Sequence, residues 1–285
     1  MPPNYIWGSE AIILRMDVGA RTDVGRVREN NEDAFRIAAP QKLYVVSDGM
    51  GGEAHGEIAS ELAVNIIVEH GVNSLGNSSL PLSGQPNATL SERTNRLASA
   101  VHLANERIHT AGVDHPDQYG MGATVVAAWV DGDHLSVAHV GDSRIYLLRG
   151  GEFRQITGDH SLVAEQVRYG LLTPAQAENS HYSNVLTRAL GPHMQVEVDA
   201  AEYPIQAGDT LLLCTDGLTR MVNDAAISKM LVEAESAQKA ADELVEAANE
   251  KGGNDNVTVV VIRALPEQVE SDEKPRKKDP LYDTA

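Results

Sequence analysis

Residues 124–157 read TVVAAWV-DGD-HLSVAHV-GDS-RIYLLR-GG-EFRQIT, β-branched and aliphatic runs separated by Asp-Gly and Gly-Gly turn signals. Apolar runs broken by such dipeptides are the strongest short-range hairpin signal, so the segment predicts an antiparallel meander of four strands. Near-continuous apolar runs at 42–47 (KLYVVS), 209–215 (DTLLLCT) and 257–265 (VTVVVIRAL) predict further strands buried on both faces. A chain built this way must carry a substantial sheet core.

Helices are predicted to cover part of that sheet. From Glu57 to about His70, Ile58, Leu62 and Ile66 recur at fourfold spacing and share one face. From about Glu92 to Thr110 the stripe is Leu97, Val101, Ala104 and Ile108, with Ser91 as N-cap. A third helix is predicted over 237–251, with Leu244, Val245 and Ala248 apolar and Gly252 as its stop. The Ser-, Asn-, Gly- and Pro-rich stretch at 71–90 predicts a mobile loop. Residues 160–191 predict a small helical insertion, because Thr173-Pro174-Ala175-Gln176 combines a cap, a first-turn proline and a reciprocal partner. The charged tail at 266–285 is expected to be disordered, leaving 1–265 as the folded domain.

Composition excludes more than it assigns. With 41 acidic residues against 23 basic ones, the formal charge of -18 repels nucleic acid and anionic lipid, so neither is an expected partner. The single cysteine, Cys214, cannot form an internal disulfide, which suits a reducing compartment, and the cytoplasm is the expected location. No stretch approaches the roughly 20 apolar residues that span a bilayer, and the N-terminus has no secretory pattern.

Four acidic residues fall where strands should begin or end: Asp33 in ENNEDAF, Asp48 in VVSDGMGG, Asp216 in LLLCTDGL and Asp255 in GGNDNVTVVV. Any one of them reads most simply as a turn residue. Together they can converge in space, and converging carboxylates repel one another unless cations lie between them. Gly49, Gly51 and Gly52 after Asp48 leave the backbone free to approach an ion. Hard oxygen donors suit magnesium or manganese, and no zinc pattern is present. Two ions are the economical reading.

At these residues the chain resembles the bacterial form of the metal-dependent PP2C-type (PPM) protein serine/threonine phosphatases. The likeness runs in order through TDVGRVRENNEDAF, VVSDGMGGEAHGEIAS, GATVVAAWV, LSVAHVGDSRIYLLRGGEFRQIT, LTRALG, LLLCTDGL and GGNDNVTVVVI, covering residues 22–262. It implies an α+β fold, a four-layer α-β-β-α sandwich of two antiparallel sheets flanked by helices, with the metal site in a cleft between sheet ends. By family position Asp48 bridges two Mn2+ or Mg2+ ions and Gly49 offers a backbone carbonyl to one. Asp216 and Asp255 hold the other. Asp33, beside Glu32, binds directly or through water, and Asp142 in GDSR helps hold a third, weaker ion. Arg28 grips the substrate phosphate, a task suited to a planar guanidinium; Arg26 is its alternate. The implied reaction is attack on phosphoserine or phosphothreonine by a metal-bridging water, without a phosphoenzyme. The implied setting is a monomer acting on phosphoproteins of a bacterial serine/threonine kinase circuit. Met50 stands where many eukaryotic members carry a histidine proton donor; a metal-bound water, or a nearby histidine such as His55 or His160, is the alternative donor, although each histidine reads more simply as structural or surface.

Two rival readings follow from the same residues. Cys214-Thr-Asp-Gly-Leu-Thr-Arg220 fits the Cys-x-x-Gly-x-x-Arg loop of cysteine-dependent phosphatases, although Asp216 would put a carboxylate beside the incoming phosphate. The other rival is a binding protein without turnover: a phosphoprotein scaffold or a cation buffer.

Overall fold

The computed structural model describes residues 14–51, 55–75, 77, 79–178 and 180–267. The strands are β1 (Leu14–Asp23), β2 (Asp33–Ala38), β3 (Leu43–Met50), β4 (Gly122–Ala123), β5 (Val125–Asp131), β6 (His134–Val140), β7 (Arg144–Arg149), β8 (Glu152–Gln155), β9 (Asp199–Pro204), β10 (Thr210–Cys214) and β11 (Val257–Pro266). The helices are α1 (Gly56–Ser74), α2 (Glu92–Asp114), α3 (Leu162–Arg168), α4 (Pro174–Glu178), α5 (Asp216–Thr219), α6 (Asp224–Glu233) and α7 (Ala237–Glu250). Every expected strand is present. Strands β1, β2 and β9 and helices α5 and α6 were not anticipated, because their apolar periodicity is interrupted by charged and small residues.

Among the described residues one antiparallel sheet has the order β1-β11-β10-β7-β8, and the other β2-β3-β5-β6-β9 with β4 on β3. The expected meander is therefore corrected: it is two hairpins in two sheets. Strand β5 pairs β6, β7 pairs β8, and the chain changes sheet at Gly141-Asp142-Ser143. Gly141 makes the corner at φ +104°, where any Cβ would also fall 2.5 Å from Thr124 Cβ.

Three apolar layers follow from strand alternation. Tyr44, Val46, Val126 and Val137 of one sheet meet Ile145, Leu211, Leu213 and Val260 of the other. On the outer faces, Val45, Val125 and Ala127 pack against α1 and α2, while Leu212, Val259 and Val261 pack against α6 and α7. This is the expected α-β-β-α sandwich. In α1 the face is shifted from the expected one: Ala59, Ala63 and Ile67 are fully buried, whereas Ile58, Leu62 and Ile66 sit partly buried beside them. Alanines at two of these positions let the helix approach the sheet closely, so small size outweighs hydrophobicity in choosing the face.

Local signals that depend on neighbours only are realised. Ser91 Oγ accepts from Thr94 N, and Leu97, Val101, Ala104 and Ile108 are all fully buried. Thr173 Oγ1 accepts from Gln176 N while Gln176 Oε1 accepts from Thr173 N, the reciprocal cap expected for α4. Helix α1 runs to Ser74, one turn into the stretch expected as loop, and Ser83 and Asn87 bond to Ser99, Glu106 and Asn95 of α2. Strand β11 runs through Pro266, and residues 268–285 of the expected tail lie outside the described ones.

Candidate metal and phosphate site

Antiparallel pairing places Asp33, the first residue of β2, directly opposite Asp48 near the end of β3. On the facing sheet, Asp216 opens α5 just beyond β10, and Asp255 precedes β11. Asp142 arrives from the corner between the sheets. Burial, and then the charges of Asp33, Asp216, Asp142 and Asp255, push the Asp48 carboxyl well above the usual carboxylate range. Asp48 thus feels the charge of each of the other four aspartates named from the sequence.

Asp33 and Asp216 are each held by a partner that leaves one oxygen unused. Asp33 Oδ2 accepts from Thr215 Oγ1 at 2.9 Å, while its buried Oδ1 has no hydrogen-bond partner. Asp216 Oδ2 pairs with Arg220, while its buried Oδ1 has none. Burial, then Asp216 and Asp255, pushes Asp33 up to about 7; burial, then Asp216 and Asp159, does the same for Asp142. Burial also raises Asp216 and Glu32. Unpaired buried carboxylate oxygens are costly. Crowded hard oxygens with unused capacity fit a divalent magnesium- or manganese-type cation, which would restore the ionised forms.

Glycines let these segments touch. A Cβ on Gly49 would lie 2.1 Å from Gly56 O and 2.5 Å from Glu32 O, and Gly49 N donates to that same Glu32 carbonyl at 3.0 Å. A Cβ on Gly217 would lie 1.9 Å from Asn256 O, so the turn after β10 closes directly onto the segment carrying Asp255. Gly51 is described and Gly52 is not.

Arg28 and Arg26 separate clearly. Arg28 Nη2 donates to Asp255 Oδ2 at 2.9 Å, and the half-exposed side chain also feels Glu32 and Asp48. Arg26 lies 3.9 Å from Glu246 of α7, and its backbone N donates to Gly253 O. Of the two, only Arg28 faces the aspartates.

Several supporting residues escaped the sequence reading. Asn256 donates from Nδ2 to Val24 O at 2.9 Å and Asn30 O at 2.8 Å, and its Oδ1 accepts from Glu32 N at 2.8 Å. One buried side chain therefore shapes the loop that carries Arg28 and Glu32. Thr215 Oγ1 also accepts from Thr258 N, and Thr124 Oγ1 ties Asp48 N to Ser143 Oγ. A polar residue beside a ligand motif at the end of an aliphatic strand was the available signal.

The thiol reading fails on geometry. Cys214 is fully buried within β10, and burial pushes its thiol up to about 12, which leaves no thiolate at neutral pH. Arg220 is held by Asp216 and lies 3.9 Å from Asp142.

The protein phosphatase 2C family model matches residues 25–260. The chain belongs to the protein phosphatase 2C family. Among its relatives, the serine/threonine phosphatase stp of Listeria innocua is 38% identical over 245 residues, 85% of this chain and 93% of that protein. Protein phosphatase PhpP of Streptococcus pneumoniae is 34% identical over 258 residues, 90% of this chain and 100% of that protein. The crystal structure of the Mycobacterium tuberculosis serine/threonine phosphatase PstP/Ppp superposes with a TM-score of 0.77 at 36% identity, over 90% of this chain and 100% of that one. The catalytic domain of PstP, solved in complex with two manganese ions, gives 0.75 at 37% identity over 88% and 99%.

Proposed function

We infer that this 2C-family chain hydrolyses phosphoserine and phosphothreonine in proteins, using Mn2+ or Mg2+. The observation that carries the reading is the five-aspartate cluster, with unpartnered oxygens on Asp33 and Asp216 at the ends of two facing sheets. Relatives named as serine/threonine phosphatases, and a relative solved with two manganese ions, support it.

In this reading Asp48, Gly49, Asp216 and Asp255 hold two ions, with Asp33 beside Glu32 as a direct or water-mediated ligand and Asp142 at a third, weaker ion. When bound, the ions supply an activated water near neutral pH and offset charge on the phosphoryl oxygens. The chain's own groups do the rest. Thr215 and Arg220 keep one oxygen each of Asp33 and Asp216 occupied, which aims the other. Arg28, with its guanidinium half-exposed beside Asp255, binds the substrate phosphate through charge-assisted hydrogen bonds and orients it. Met50 cannot donate a proton to the leaving alkoxide, because a thioether carries none to give.

The insertion at 160–191 is proposed as a flap that reads the phosphoprotein around the phosphate. Exposed Tyr169, Leu171 and Tyr182 on it give such a partner an apolar contact. A cytoplasmic monomer within a bacterial kinase circuit is the setting we propose; none of the described helices is long and apolar enough to cross a membrane. The deciding experiment is hydrolysis of a phosphothreonine peptide by the purified chain. Turnover should require manganese, stop with chelator and be lost in Asp48→Asn. No turnover by the manganese-loaded protein sinks the reading and favours a phosphoprotein-binding scaffold.

A further inference from the structure

His139, His160 and Asp199 bring a ligand atom each within 4.8 Å of one another. The hydrogen-bond pattern argues against a metal there. Gly141 N donates to His160 Nδ1 at 3.1 Å, and a backbone N–H can only donate, so Nδ1 holds the ring's one lone pair and Nε2 carries its proton. That Nε2 lies 3.3 Å from Asp199 Oδ2 without making a hydrogen bond, and the carboxylate is already held by Arg188 Nη1 at 2.6 Å. His139 Nε2 donates to Gly158 O at 2.9 Å, and its ring stacks on His160 with centroids 4.7 Å apart. Stacked rings do not direct their lone pairs at a common ion. His160 is also poorly placed as proton donor to a leaving group, because its side chain is 3% exposed and Nδ1 is taken by Gly141 N.

What the residue does hold is the corner between the sheets. His160 N donates to Gly141 O at 3.0 Å while Gly141 N donates to the His160 ring, a reciprocal pair across the residue before Asp142. On its other side, His160 O accepts from Thr187 N at 2.9 Å, and Ser161 pairs with Leu186. The two feet of the insertion therefore meet at the residue that clasps the Asp142 corner. We propose that His160 is a positioning residue: its neutral ring holds Gly141, and through it Asp142, in the geometry that binds the third ion, and so links that ion to the base of the insertion. The proposal rests on Asp142 holding an ion, as read above. Burial, then His139 and Arg188, lowers the ring's pKa against the pull of Asp199, in the direction that an acceptor for Gly141 N–H requires.

The test is manganese titration of the full chain, read by electron paramagnetic resonance of free Mn2+ alongside the manganese dependence of phosphopeptide turnover. His160→Ala and His160→Gln remove an acceptor at the δ position; His160→Asn keeps one. Loss of a group that orients a metal ligand weakens binding by about 10–100-fold. The expected result is a loss of that order at the weakest ion alone in the Ala and Gln variants, near-native binding in His160→Asn, and no added loss when His160→Ala is combined with Asp142→Asn. Should the Ala variant not fold, the Gln variant carries the comparison. Unchanged binding in a folded His160→Ala or Gln variant, with the weak ion lost in Asp142→Asn, overturns the positioning role alone. Equal impairment in His160→Asn also overturns it, pointing to the Asp199 side of the ring. If Asp142→Asn leaves every ion in place, the third-ion reading and this proposal fall together.

Discussion

Strand β10 has an aspartate at each end, and the two are treated in opposite ways. Asp209, just before it, is 1% exposed and fully matched: Arg149 donates from Nε at 2.8 Å and from Nη2 at 2.6 Å, and Gln206 N adds a third bond. Asp216, just after it, has one oxygen paired with Arg220 and the other buried with no partner, among four more carboxylates. The first arrangement closes a surface against water. The second leaves a defect that a folded protein tolerates only if something else completes it. The difference is in the partners, since the residue type and the strand are the same.

The contrast breaks first at activity. Asp216→Asn should lower manganese-dependent phosphopeptide turnover by on the order of 10³-fold, about 4 kcal/mol, in line with the several kcal/mol that metal ions contribute to such transition states. Its circular dichroism should stay native. Asp209→Asn should do the reverse, keeping turnover while lowering stability by about 2–3 kcal/mol in urea unfolding; this lies below the usual cost of breaking a buried pair because Arg149 is one-third exposed. If Asp209→Asn abolishes turnover without loss of stability, the two ends of β10 do not differ as described.

A second consequence is a pH dependence confined to the metal-free protein. Asp33 and Asp142 are pushed up to about 7 in the fold, against about 3.9 for an unfolded aspartate. Between those values the folded state binds more protons than the unfolded one. Their contribution is therefore complete below about 4 and lost as pH climbs through about 7. In chelator, the melting temperature should fall by several degrees between pH 5.5 and pH 8, and saturating manganese should abolish most of that fall. A flat profile in chelator would show that the carboxylates are not crowded. The smallest effect belongs to Cys214, buried and remote from thiolate form: Cys214→Ser should retain turnover within about threefold, with any loss in stability instead, since a buried hydroxyl costs a few kcal/mol at most.

What could be read from the chain alone divides along the same line between local and long-range effects. The caps at Ser91 and Thr173, the α2 stripe and the strands at 42–47, 209–215 and 257–265 depend on neighbours in sequence, and they were legible. The aspartates were legible as a set only through their ordered motifs, because each alone looks like a turn. The change of sheet at Gly141 was not, since a Gly-Asp pair in a hairpin and one at a corner look the same until β7 finds β10 instead of β6. Asn256 was hidden for a related reason: its three bonds reach residues more than 220 positions away. The α1 face was misjudged because closeness of packing, and not apolarity, decides which side of that helix meets the sheet.

Gly217 acts as a ruler. With the space for a Cβ filled by Asn256 O at 1.9 Å, the separation between the segments bearing Asp216 and Asp255 is set by the absence of a single methyl group. Any larger side chain there would act as a wedge, widening the gap between two carboxylates while leaving every acidic residue of the motif intact. Such a protein would still be recognised by its sequence, yet the spacing of its carboxylates would be wrong. The motif names the acidic residues; the glycine sets the calibration.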